Sequence, residues 1–546
     1  MEGVSARNRA EEEFRPEQVE TLPALEGAIL CPRDAFPVVD LFAGPGGLGE
    51  GFAALASDKG KSRFHSVAAI EREEFAHQTL LLRHFLRCFR EGEGLGDYHS
   101  YLRGEIDRAS LFARHPAEHL AARQTALKIA LGPDNHHRVR RLIDERLSGR
   151  TRWALVGGPP CQAYSLVGRS RMMGLPGFEQ DERHFLYKEY LKIIVDHRPP
   201  VFVMENVKGL LSAKVDGTPV INRIISDLSR PKEALGSQAN GLGYKLYSLS
   251  EQDQADEEVD PRLFLVRAER YGLPQARHRM FIVGIRNDLK VRPRQLRPHD
   301  GPTVRETIGD LPALRSSLSR GRDTPDKWRD ELARLAAIDL RGQLNVSHYA
   351  ASVANSIRLR LDAIATAPEE RLSRSYPESA PSNHRALNDI RVEGLPVLTG
   401  HEARSHMASD LRRYLYAAVF ADVTGRSPKL ADFPRALLPD HKNVERGCSG
   451  EMFSDRFRVQ TPDAVSTTVT SHISKDGHYF IHYDPLQCRS LTVREAARLQ
   501  TFPDDYKFEG PRTAQYHQVG NAVPPYLAKQ IAEIVAEILD AIREPQ

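Results

Sequence analysis

The chain has 546 residues, more than one average hydrophobic core organises, so two or more domains or one domain with a large insertion are expected. Hydrophobic residues make up 40% of the chain and charged residues 27%, which is ordinary for a globular protein. The formal net charge of +3 excludes a chain that attracts nucleic acid by its overall charge, so any such surface must come from local clusters.

The predicted elements begin after a polar N-terminal tail that covers residues 1–35. Residues 36–42 predict a short buried strand that ends in a glycine cluster, and residues 50–56 predict the helix that follows. Residues 66–71 predict a second strand that ends in an acid, and residues 75–90 predict a second helix. This alternation predicts an α/β fold in which helices cross over between parallel strands.

Further strands are predicted at 153–156, 201–206 and 280–284. Residues 115–148 are rich in Ala, Leu, Arg and Glu and predict a helical segment. The alternation of strands and helices stops after about residue 295, which predicts a catalytic domain over 36–295.

The rest of the chain predicts two further parts. Residues 296–485 are irregular and polar, with scattered helical stretches such as 408–421, and predict a second domain. The tail from 490 to 539 is helical again, so residues 486–546 are expected to return to the first domain.

The cysteine pattern and the termini indicate where the protein works. The five cysteines form no C-x-x-C pair, so neither a disulfide framework nor a metal site is expected; they are Cys31, Cys88, Cys161, Cys448 and Cys488. The charged N-terminus does not have the features of a signal peptide, and no apolar run reaches the length of a membrane span. We therefore expect a cytoplasmic protein.

The glycine cluster has the pattern G-x-G-x-x-G from Gly44 to Gly49, between a predicted strand and a predicted helix. Glycines allow a tight turn and a close approach of the backbone to a ligand, and Glu71 at the end of the next strand is placed to bind ribose hydroxyls. The pattern indicates a nucleotide-like cofactor without distinguishing a nicotinamide from S-adenosylmethionine. The alternative is a glycine-rich turn that binds nothing.

Three later segments place reactive side chains at or near strand ends. Cys161 follows two prolines and is a nucleophile if its thiolate is stabilised, although an isolated cysteine is more often a small buried hydrophobe. Glu205 is a candidate general acid, or else a solvated loop acid. Arg277 and Arg279, two apart in an extended segment, are suited to grip an anion or a base edge, or else form an exposed basic edge.

Taken together, these segments resemble the ordered motifs of the DNA cytosine-5 methyltransferase family. The matching blocks are DLFAGPGGLGEGF (40–52), GGPPCQAYS (157–165), ENVKGLL (205–211), YGLPQARHRMFIVG (271–284), LTVREAARLQTFPDDY (491–506) and QVGNAVPP (518–525). PPCQ and QVGNAVPP are the most specific of them. The resemblance implies an α/β, Rossmann-like S-adenosylmethionine methyltransferase sheet with an appended target-recognition domain at 296–485.

The resemblance also implies the chemistry. Cys161 would add to carbon 6 of cytosine, so that carbon 5 becomes nucleophilic enough to accept a methyl group. Glu205 would contact and protonate the N3 edge of the base, and Arg277 and Arg279 would hold the ring by hydrogen bonds. Asn206 would support the loop that carries the cysteine.

For the cofactor S-adenosylmethionine, the resemblance implies binding positions in the glycine loop, at strand ends and in the last block. These positions are Phe42, Gly44, Gly46, Gly47, Glu71, Glu105, Leu186, Asn521 and Val523. Glu105 is taken from the segment RGEI and Leu186 from the segment HFLY.

Contacts with DNA are expected in two places, because the family flips its target base out of the duplex. Residues 165–183 resemble the family's mobile catalytic loop, where Arg169 and Arg171 suit phosphate contacts. In the second domain, the candidate DNA contacts are Arg456, Arg458, Lys475 and the Thr- and Ser-rich run 467–474.

Three other interpretations remain at this point. A methyltransferase that acts on tRNA shares these blocks, although that branch usually has a smaller second domain. A catalytically silent DNA-binding regulator would not need Cys161 and Glu205, and a nicotinamide oxidoreductase would leave PPCQ and ENV unexplained. The expected partner is duplex DNA, with a cognate restriction endonuclease as functional partner in restriction–modification or a related defence system, and the chain is expected to act as a monomer.

Overall fold

The computed structural model describes ten stretches of the chain, which cover most of it. They are residues 31–89, 93–160, 182–215, 217–237, 243–250, 260–340, 347–378, 381–440, 444–450 and 454–542. Within these stretches, no helix is long and apolar enough to cross a membrane.

A central sheet organises the first part of the chain. Its strands, numbered in chain order, are β1 (Phe36–Leu41), β2 (Phe64–Glu71), β3 (Ala126–Lys128), β4 (Ala154–Gly157), β5 (Val201–Val207), β6 (Tyr244–Tyr247), β7 (Leu265–Arg267) and β8 (His278–Arg286). Their spatial order is β3-β2-β1-β4-β5-β8-β6, with β7 paired to the edge of β8. The first five strands pair in parallel, and β8 runs antiparallel to β5, β6 and β7.

The helices cover the sheet and build the second region. They are α1 (Gly47–Ala53), α2 (Glu74–Arg87), α3 (Leu95–Arg103), α4 (Arg108–Arg114), α5 (Pro116–Thr125), α6 (His136–Leu147), α7 (Glu182–His197), α8 (Val220–Ser229), α9 (Pro231–Ala234), α10 (Val304–Ile308), α11 (Pro325–Ala333), α12 (Ser347–Asp362), α13 (Arg385–Ile390), α14 (Ala408–Thr424), α15 (Val444–Cys448), α16 (Val493–Leu499), α17 (Arg512–Asn521) and α18 (Pro525–Ala541).

Two-residue strands pair outside the main sheet. These pairs are Lys214–Val215 with Thr218–Pro219, Gln275–Ala276 with Ser466–Thr467, and Ser317–Leu318 with Ser405–His406. The second pair joins the chain just before β8 to the end of the second region.

The structure confirms the predicted α/β class with a mostly parallel, Rossmann-like sheet. The predicted strands at 36–42, 66–71, 153–156, 201–206 and 280–284 correspond to β1, β2, β4, β5 and β8. The prediction for residues 115–148 was wrong in part, because β3 lies inside that segment and pairs with β2. The residues Ala, Leu and Lys of β3 favour helices by themselves, so only the neighbouring strand makes this segment extended.

Hydrophobic cores lie on both faces of the sheet. One face is covered by α6, α7 and α8, whose apolar side chains pack with those of β1, β2 and β5. The other face is covered by α1 and α18, which pack against β1, β4, β5 and β8. The last helix of the chain is therefore part of the core of the first domain.

The second region has a hydrophobic cluster of its own. This cluster is built around α14 and includes Trp328 of α11, Val353 of α12 and Phe457. Its buried members all come from residues 328–488, so these side chains are buried among themselves and not against the sheet. Other side chains of the region, such as Val304 and Val469, pack in a different cluster together with α16 and α17.

The packing of α1 against α18 depends on a glycine. A Cβ atom at Gly51 would lie 2.4 Å from the Cβ of Ala528 and 2.4 Å from the carbonyl oxygen of Pro525. Both contacts involve rigid groups, so an added methyl group forces the two helices apart. By contrast, Gly96 in α3 has no heavy atom within 4 Å of such a Cβ position.

We expect Gly51→Ala to lower the free energy of unfolding by about 1–3 kcal/mol through overpacking. The matched control is Gly96→Ala, which should leave stability unchanged or raise it by up to about 1 kcal/mol because alanine favours the helix. Urea unfolding of both variants measures the two values. Equal effects of the two substitutions would contradict the proposed contact between α1 and α18.

Asp40 of β1 is a buried carboxyl group beside Gly49. Its side chain is 1% exposed, and neither carboxylate oxygen accepts a hydrogen bond from a described residue. Burial raises the pKa of Asp40 to about 7, although the charge of Arg87 opposes this effect. The folded chain holds this proton more tightly than the unfolded chain, so the resulting stabilisation is complete below the ordinary pKa of 3.8 and is lost as the pH rises through about 7.

We expect the difference in unfolding free energy between Asp40→Asn and the wild type to change with pH. Asparagine has no proton to lose, so the variant should gain about 2 kcal/mol relative to the wild type between pH 5 and pH 8. Urea unfolding at several pH values measures this difference. A difference that is constant across this range would show that Asp40 titrates normally.

Candidate active site

The candidate site is a cavity of about 560 Å³ at the carboxyl ends of the parallel strands. Ligands bind at this edge in open α/β sheets, and the volume is in the usual range for a small-molecule cofactor. The lining comes from the segments after β1, β2, β3, β4 and β5, from the start of β8, and from the chain around 470 and 520. The second region and the C-terminal part therefore complete the walls of a cavity whose other walls come from the sheet.

The glycine loop after β1 forms one wall of the cavity. The N–H of Gly44 donates to Oε2 of Glu71 at 2.8 Å, which ties the first strand end to the second. Phe42, which also lines the cavity, has a φ of 59°. This left-handed conformation is uncommon for a bulky residue and persists only where the surroundings enforce it, so the wall is held in a defined shape.

The C-terminal part reaches the same loop through a close backbone contact. A Cβ atom at Gly47 would lie 2.2 Å from the carbonyl oxygen of Val523, so only glycine permits this approach. Asn521 and Val523 line the cavity, as does Leu186 of α7. The structure therefore brings these three predicted residues together with Phe42 and Glu71.

The predicted acid Glu205 faces the cavity at the end of β5. Nε of Arg279 lies 3.2 Å from its Oε1 atom, and the antiparallel register places the two residues diagonally on one face of the β5–β8 pair. On the other side, a Cβ atom at Gly158 would lie 2.9 Å from Oε2 of Glu205. The carboxyl group is thus held between the glycine of the β4 loop and the arginine of β8.

The carboxyl group of Glu205 and the guanidinium of Arg279 are largely shielded from solvent. Burial raises the pKa of Glu205, and the charges of Arg279 and Arg277 oppose this effect. Burial also lowers the pKa of Arg279, and the charge of Glu205 opposes it. A carboxyl group whose pKa is raised keeps its proton at higher pH, which is the state that a general acid needs.

Asn206 connects the acid to the loop after β4. Its Nδ2 atom donates to the carbonyl oxygen of Pro159 at 3.2 Å, and its Oδ1 atom accepts from the N–H of Val207 at 2.8 Å. The side chain is 4% exposed. The hydrogen bond from Asn206 to Pro159 holds the backbone just before Pro160. Pro160 lines the cavity and directly precedes position 161. Cys161 itself, with Arg169 and Arg171, lies outside the described residues.

Arg277 departs from the expectation that it would hold a base. It is not among the described residues that line the cavity, and its side chain is 1% exposed. Its guanidinium donates to the carbonyl oxygens of Val469 at 2.7 Å, Ala522 at 2.8 Å and Gly520 at 3.2 Å. These bonds make Arg277 a clamp between β8, the second region and the C-terminal part.

Glu105 is a second correction, because the structure places it outside the cavity. It lies in the turn after α3, where its carboxylate is paired with Arg103 at 2.5 Å, and about half of its side chain is exposed. The third strand of the sheet is β3, which lies later in the chain than Glu105. Ile129 and Leu131, which follow β3, line the cavity. The sequence of β3 and the residues after it, ALKIAL, gives no strand signal of its own, so this wall was not predicted.

Gly46 and Gly47 support the cavity without being among its described lining residues. Gly46 has a φ of 99°, which favours glycine, and Gly47 admits the carbonyl of Val523 as described above. Both glycines therefore shape the loop, although the lining itself is formed by their neighbours.

Three of the predicted DNA contacts of the second region are charged side chains outside the described lining of the cavity. Arg456 is paired with Asp476 at 3.8 Å, and Arg458 is paired with Asp455. Lys475 has an exposed side chain, and its carbonyl oxygen accepts from Arg404 at 3.0 Å. None of the three residues is among the described residues that line the cavity.

Three further lining residues were not predicted as part of the cofactor site. Thr470 and Ser471 reach the cavity because a Cβ atom at Gly520 would lie 2.2 Å from the backbone nitrogen of Ser471, so glycine alone allows the contact. His517 lines the rim, and its Nδ1 atom lies 3.1 Å from Nδ2 of Asn521. For Thr470 and Ser471 the sequence signal was a polar run assigned to DNA, and for His517 it was its place one turn before Asn521 on α17.

Comparison with known proteins agrees with this arrangement. The family described as C-5 cytosine-specific DNA methylase matches residues 140–537. The type II methyltransferase M.Bpa9945I of Bacillus paralicheniformis is 34% identical over 526 residues, which cover 92% of this chain and 99% of that protein. The type II methyltransferase M.AgeI of Thalassovita gelatinovora is 29% identical over 417 residues, which cover 70% of this chain and 82% of that protein.

A third relative is the DNA (cytosine-5-)-methyltransferase M.ApeKI of Aeropyrum pernix, which is 28% identical over 430 residues that cover 72% of this chain and 83% of that protein. The family match spans most of the chain, and M.Bpa9945I aligns over nearly its full length. These findings confirm the resemblance of the sequence blocks. The chain belongs to the family of C-5 cytosine-specific DNA methylases and is a DNA (cytosine-5)-methyltransferase.

Proposed function

We propose that this chain transfers a methyl group from S-adenosylmethionine to carbon 5 of a cytosine that is flipped out of a specific duplex DNA sequence. Cys161 is the nucleophile in this proposal, and Glu205 is the general acid. One observation carries it. The partly buried carboxyl group of Glu205, held by Arg279 at 3.2 Å, opens into the same cavity as Pro160, the residue before Cys161, and as the glycine loop.

The chain supplies three functions to the reaction. The Cys161 thiolate forms a bond to carbon 6 of the cytosine, and this covalent step turns carbon 5 into a nucleophile. Glu205 donates its proton to N3, so that the ring does not accumulate a full negative charge. Arg279, with Glu205, orients the base, whereas Arg277 acts through the backbone carbonyls that it holds.

The final steps release the product. Carbon 5 loses its original proton to a base, the electron pair of that bond re-forms the double bond between carbons 5 and 6, and the bond between Cys161 and carbon 6 breaks. The thiolate of Cys161 then leaves unchanged, and N3 returns its proton to Glu205, which restores both groups for the next cycle. Asn206 holds the loop after β4 beside Glu205 during the whole reaction, because its hydrogen bond to Pro159 does not involve the reacting atoms.

The lining of the cavity fits S-adenosylmethionine. Glu71 would bind the ribose hydroxyls, and Phe42, Ile129 and Leu131 would pack against the apolar parts of the cofactor. The close approach of Val523 at Gly47 shapes the loop for a tight backbone contact with the ligand. When bound, S-adenosylmethionine would supply the methyl group that carbon 5 receives.

The second region, residues 296–485, is the target-recognition domain in this proposal. Its own hydrophobic cluster supports a separate unit, and the proposal assigns contacts with phosphates and base edges to Arg456, Arg458 and Lys475 of this region. Residues 486–546 return to the catalytic domain, which α18 on the sheet supports. Arg169 and Arg171 are further candidate phosphate contacts.

The biological role that we propose is self-marking in restriction–modification, with the chain acting as a monomer. Two of the relatives are named type II methyltransferases, which supports this role. A neighbouring gene for an endonuclease with the same target sequence would be the partner that the proposal requires.

We expect Cys161→Ala to abolish methyl transfer to DNA because it removes the nucleophile while the cavity remains intact. Labelled S-adenosylmethionine is incubated with duplex DNA and, separately, with tRNA, and the products are resolved as nucleosides. Label in 5-methylcytosine of DNA that disappears in the variant supports the proposal. Label in tRNA alone, or equal label with wild type and variant, would refute it.

We expect Glu205→Gln to reduce kcat by about 10²–10³-fold, since glutamine cannot protonate N3. The matched control is Glu105→Gln, which should leave kcat unchanged because that side chain is exposed and paired with Arg103 outside the cavity. The affinity for S-adenosylmethionine, measured by calorimetry, should remain near the wild-type value in both variants. An unchanged kcat in Glu205→Gln would remove Glu205 from the mechanism.

A further inference from the structure

The glycine loop lies directly on Tyr506, a side chain that the proposed reaction does not use. Tyr506 is 1% exposed, and its hydroxyl donates a hydrogen bond to the carbonyl oxygen of Pro45. A Cβ atom at Gly46 would lie 3.1 Å from the same hydroxyl oxygen. Because proline has no N–H, this carbonyl is the one backbone hydrogen-bonding group that Pro45 possesses. Tyr506 therefore holds the glycine loop through its hydrogen bond to Pro45.

Arg83 of α2 holds the ring of Tyr506 in place. Its guanidinium carbon lies 4.9 Å from the centre of the ring, which is a cation–π contact. The same guanidinium donates to both carboxylate oxygens of Glu50, at 2.6 and 2.8 Å, and to Oδ2 of Asp505 at 2.8 Å. One side chain thus joins α1, α2 and the segment that carries Tyr506.

The carboxylate of Glu50 stays charged in this arrangement. Burial alone would raise its pKa, but the charges of Arg83 and Arg87 lower the pKa to about 2. The bidentate pair with Arg83 fixes the orientation as well as the distance of the two side chains. Removal of Arg83 would leave Glu50 with Arg87 alone, and removal of Glu50 would leave Arg83 with Asp505 alone, so either loss weakens the pairing of the buried charges.

On its other side, the Tyr506 segment is fastened to the second region. Arg494 of α16 donates to the carbonyl oxygen of Tyr506 at 2.8 Å and to that of Thr399 at 3.0 Å. Arg498 donates to both carboxylate oxygens of Asp504, at 2.9 and 2.8 Å. Arg494 and Arg498 are both buried. A continuous set of bonds therefore runs from residue 399 of the second region to the glycine loop.

We propose that Tyr506 is a positioning residue for the cofactor loop, and that Arg83 and Tyr506 together hold this loop in its binding conformation against the second region. This inference rests on the proposed function in one respect, because it takes the glycine loop to be the binding site of S-adenosylmethionine. Tyr506 acts through Pro45 and does not touch the cofactor itself. The two side chains therefore set cofactor affinity without taking part in the chemical step.

The test compares two buried tyrosines that each donate to a proline carbonyl. Tyr506→Phe removes the bond to Pro45, and the control Tyr244→Phe removes the 3.0 Å bond to Pro199 at the opposite edge of the sheet. Calorimetry measures the Kd for S-adenosylmethionine, steady-state assays measure KM and kcat, and thermal unfolding measures Tm. Arg83→Lys, which keeps the charge and loses the bidentate geometry, is the second variant.

We expect Tyr506→Phe to raise the Kd and KM for S-adenosylmethionine about fivefold, the size of one lost hydrogen bond, with kcat at saturation near the wild-type value. Arg83→Lys should act in the same direction, and the double variant should show less than the product of the two effects because both act on one loop. Tyr244→Phe should change Tm by a similar amount and leave Kd unchanged.

Two results would overturn the inference and are distinguishable from each other. If Tyr506→Phe binds S-adenosylmethionine as tightly as the wild type, or if Tyr244→Phe weakens binding equally, then Tyr506 has no specific role while the proposed function stands. If the wild type itself does not bind S-adenosylmethionine, then the proposed cofactor fails, and this inference fails with it.

Discussion

The buried guanidinium of Arg277 makes the contacts on which the assembly of the site depends. It holds the carbonyl oxygens of Val469, Gly520 and Ala522, which are separated from it by 192 to 245 positions along the chain. Burial and the charge of Arg279 lower its pKa, and the charge of Glu205 opposes this effect. A buried cation needs hydrogen-bond acceptors for its donors, and the two terminal nitrogens of Arg277 find them only where the three segments meet.

The meeting of these segments explains how distant parts of the chain share one cavity. The segment at 470 belongs to the second region and the segment at 520 to the C-terminal part, yet both line the wall that faces the strand ends. Because Gly520 and Gly47 have no side chain, backbone atoms of other segments occupy the space that a Cβ atom would fill. Segments from all parts of the chain therefore line one cavity, so a displacement of the second region would change the wall that the glycine loop also forms.

Much of the fold was predictable because the local patterns agree with the tertiary structure. Buried strands such as β1, β4 and β5 are continuous apolar runs, which is the pattern of a parallel sheet covered on both faces. β3 was missed because its three residues carry no strand signal by themselves and become extended only by pairing with β2. The mistaken position of Glu105 follows from the same omission, since the third strand end was sought too early in the chain.

The sequence by itself determined the order of the motifs, the sheet class and the types of side chain at the strand ends, because these depend on short-range patterns. Glu205 and the glycine loop could be placed at one edge from the parallel alternation, whereas Arg279 reaches that edge only because β8 runs antiparallel to β5. Only the tertiary structure decided that Arg277 clamps backbone carbonyls while Arg279 faces the acid. Two arginines two positions apart carry the same signal in the sequence, and their different roles come from neighbours about two hundred residues away.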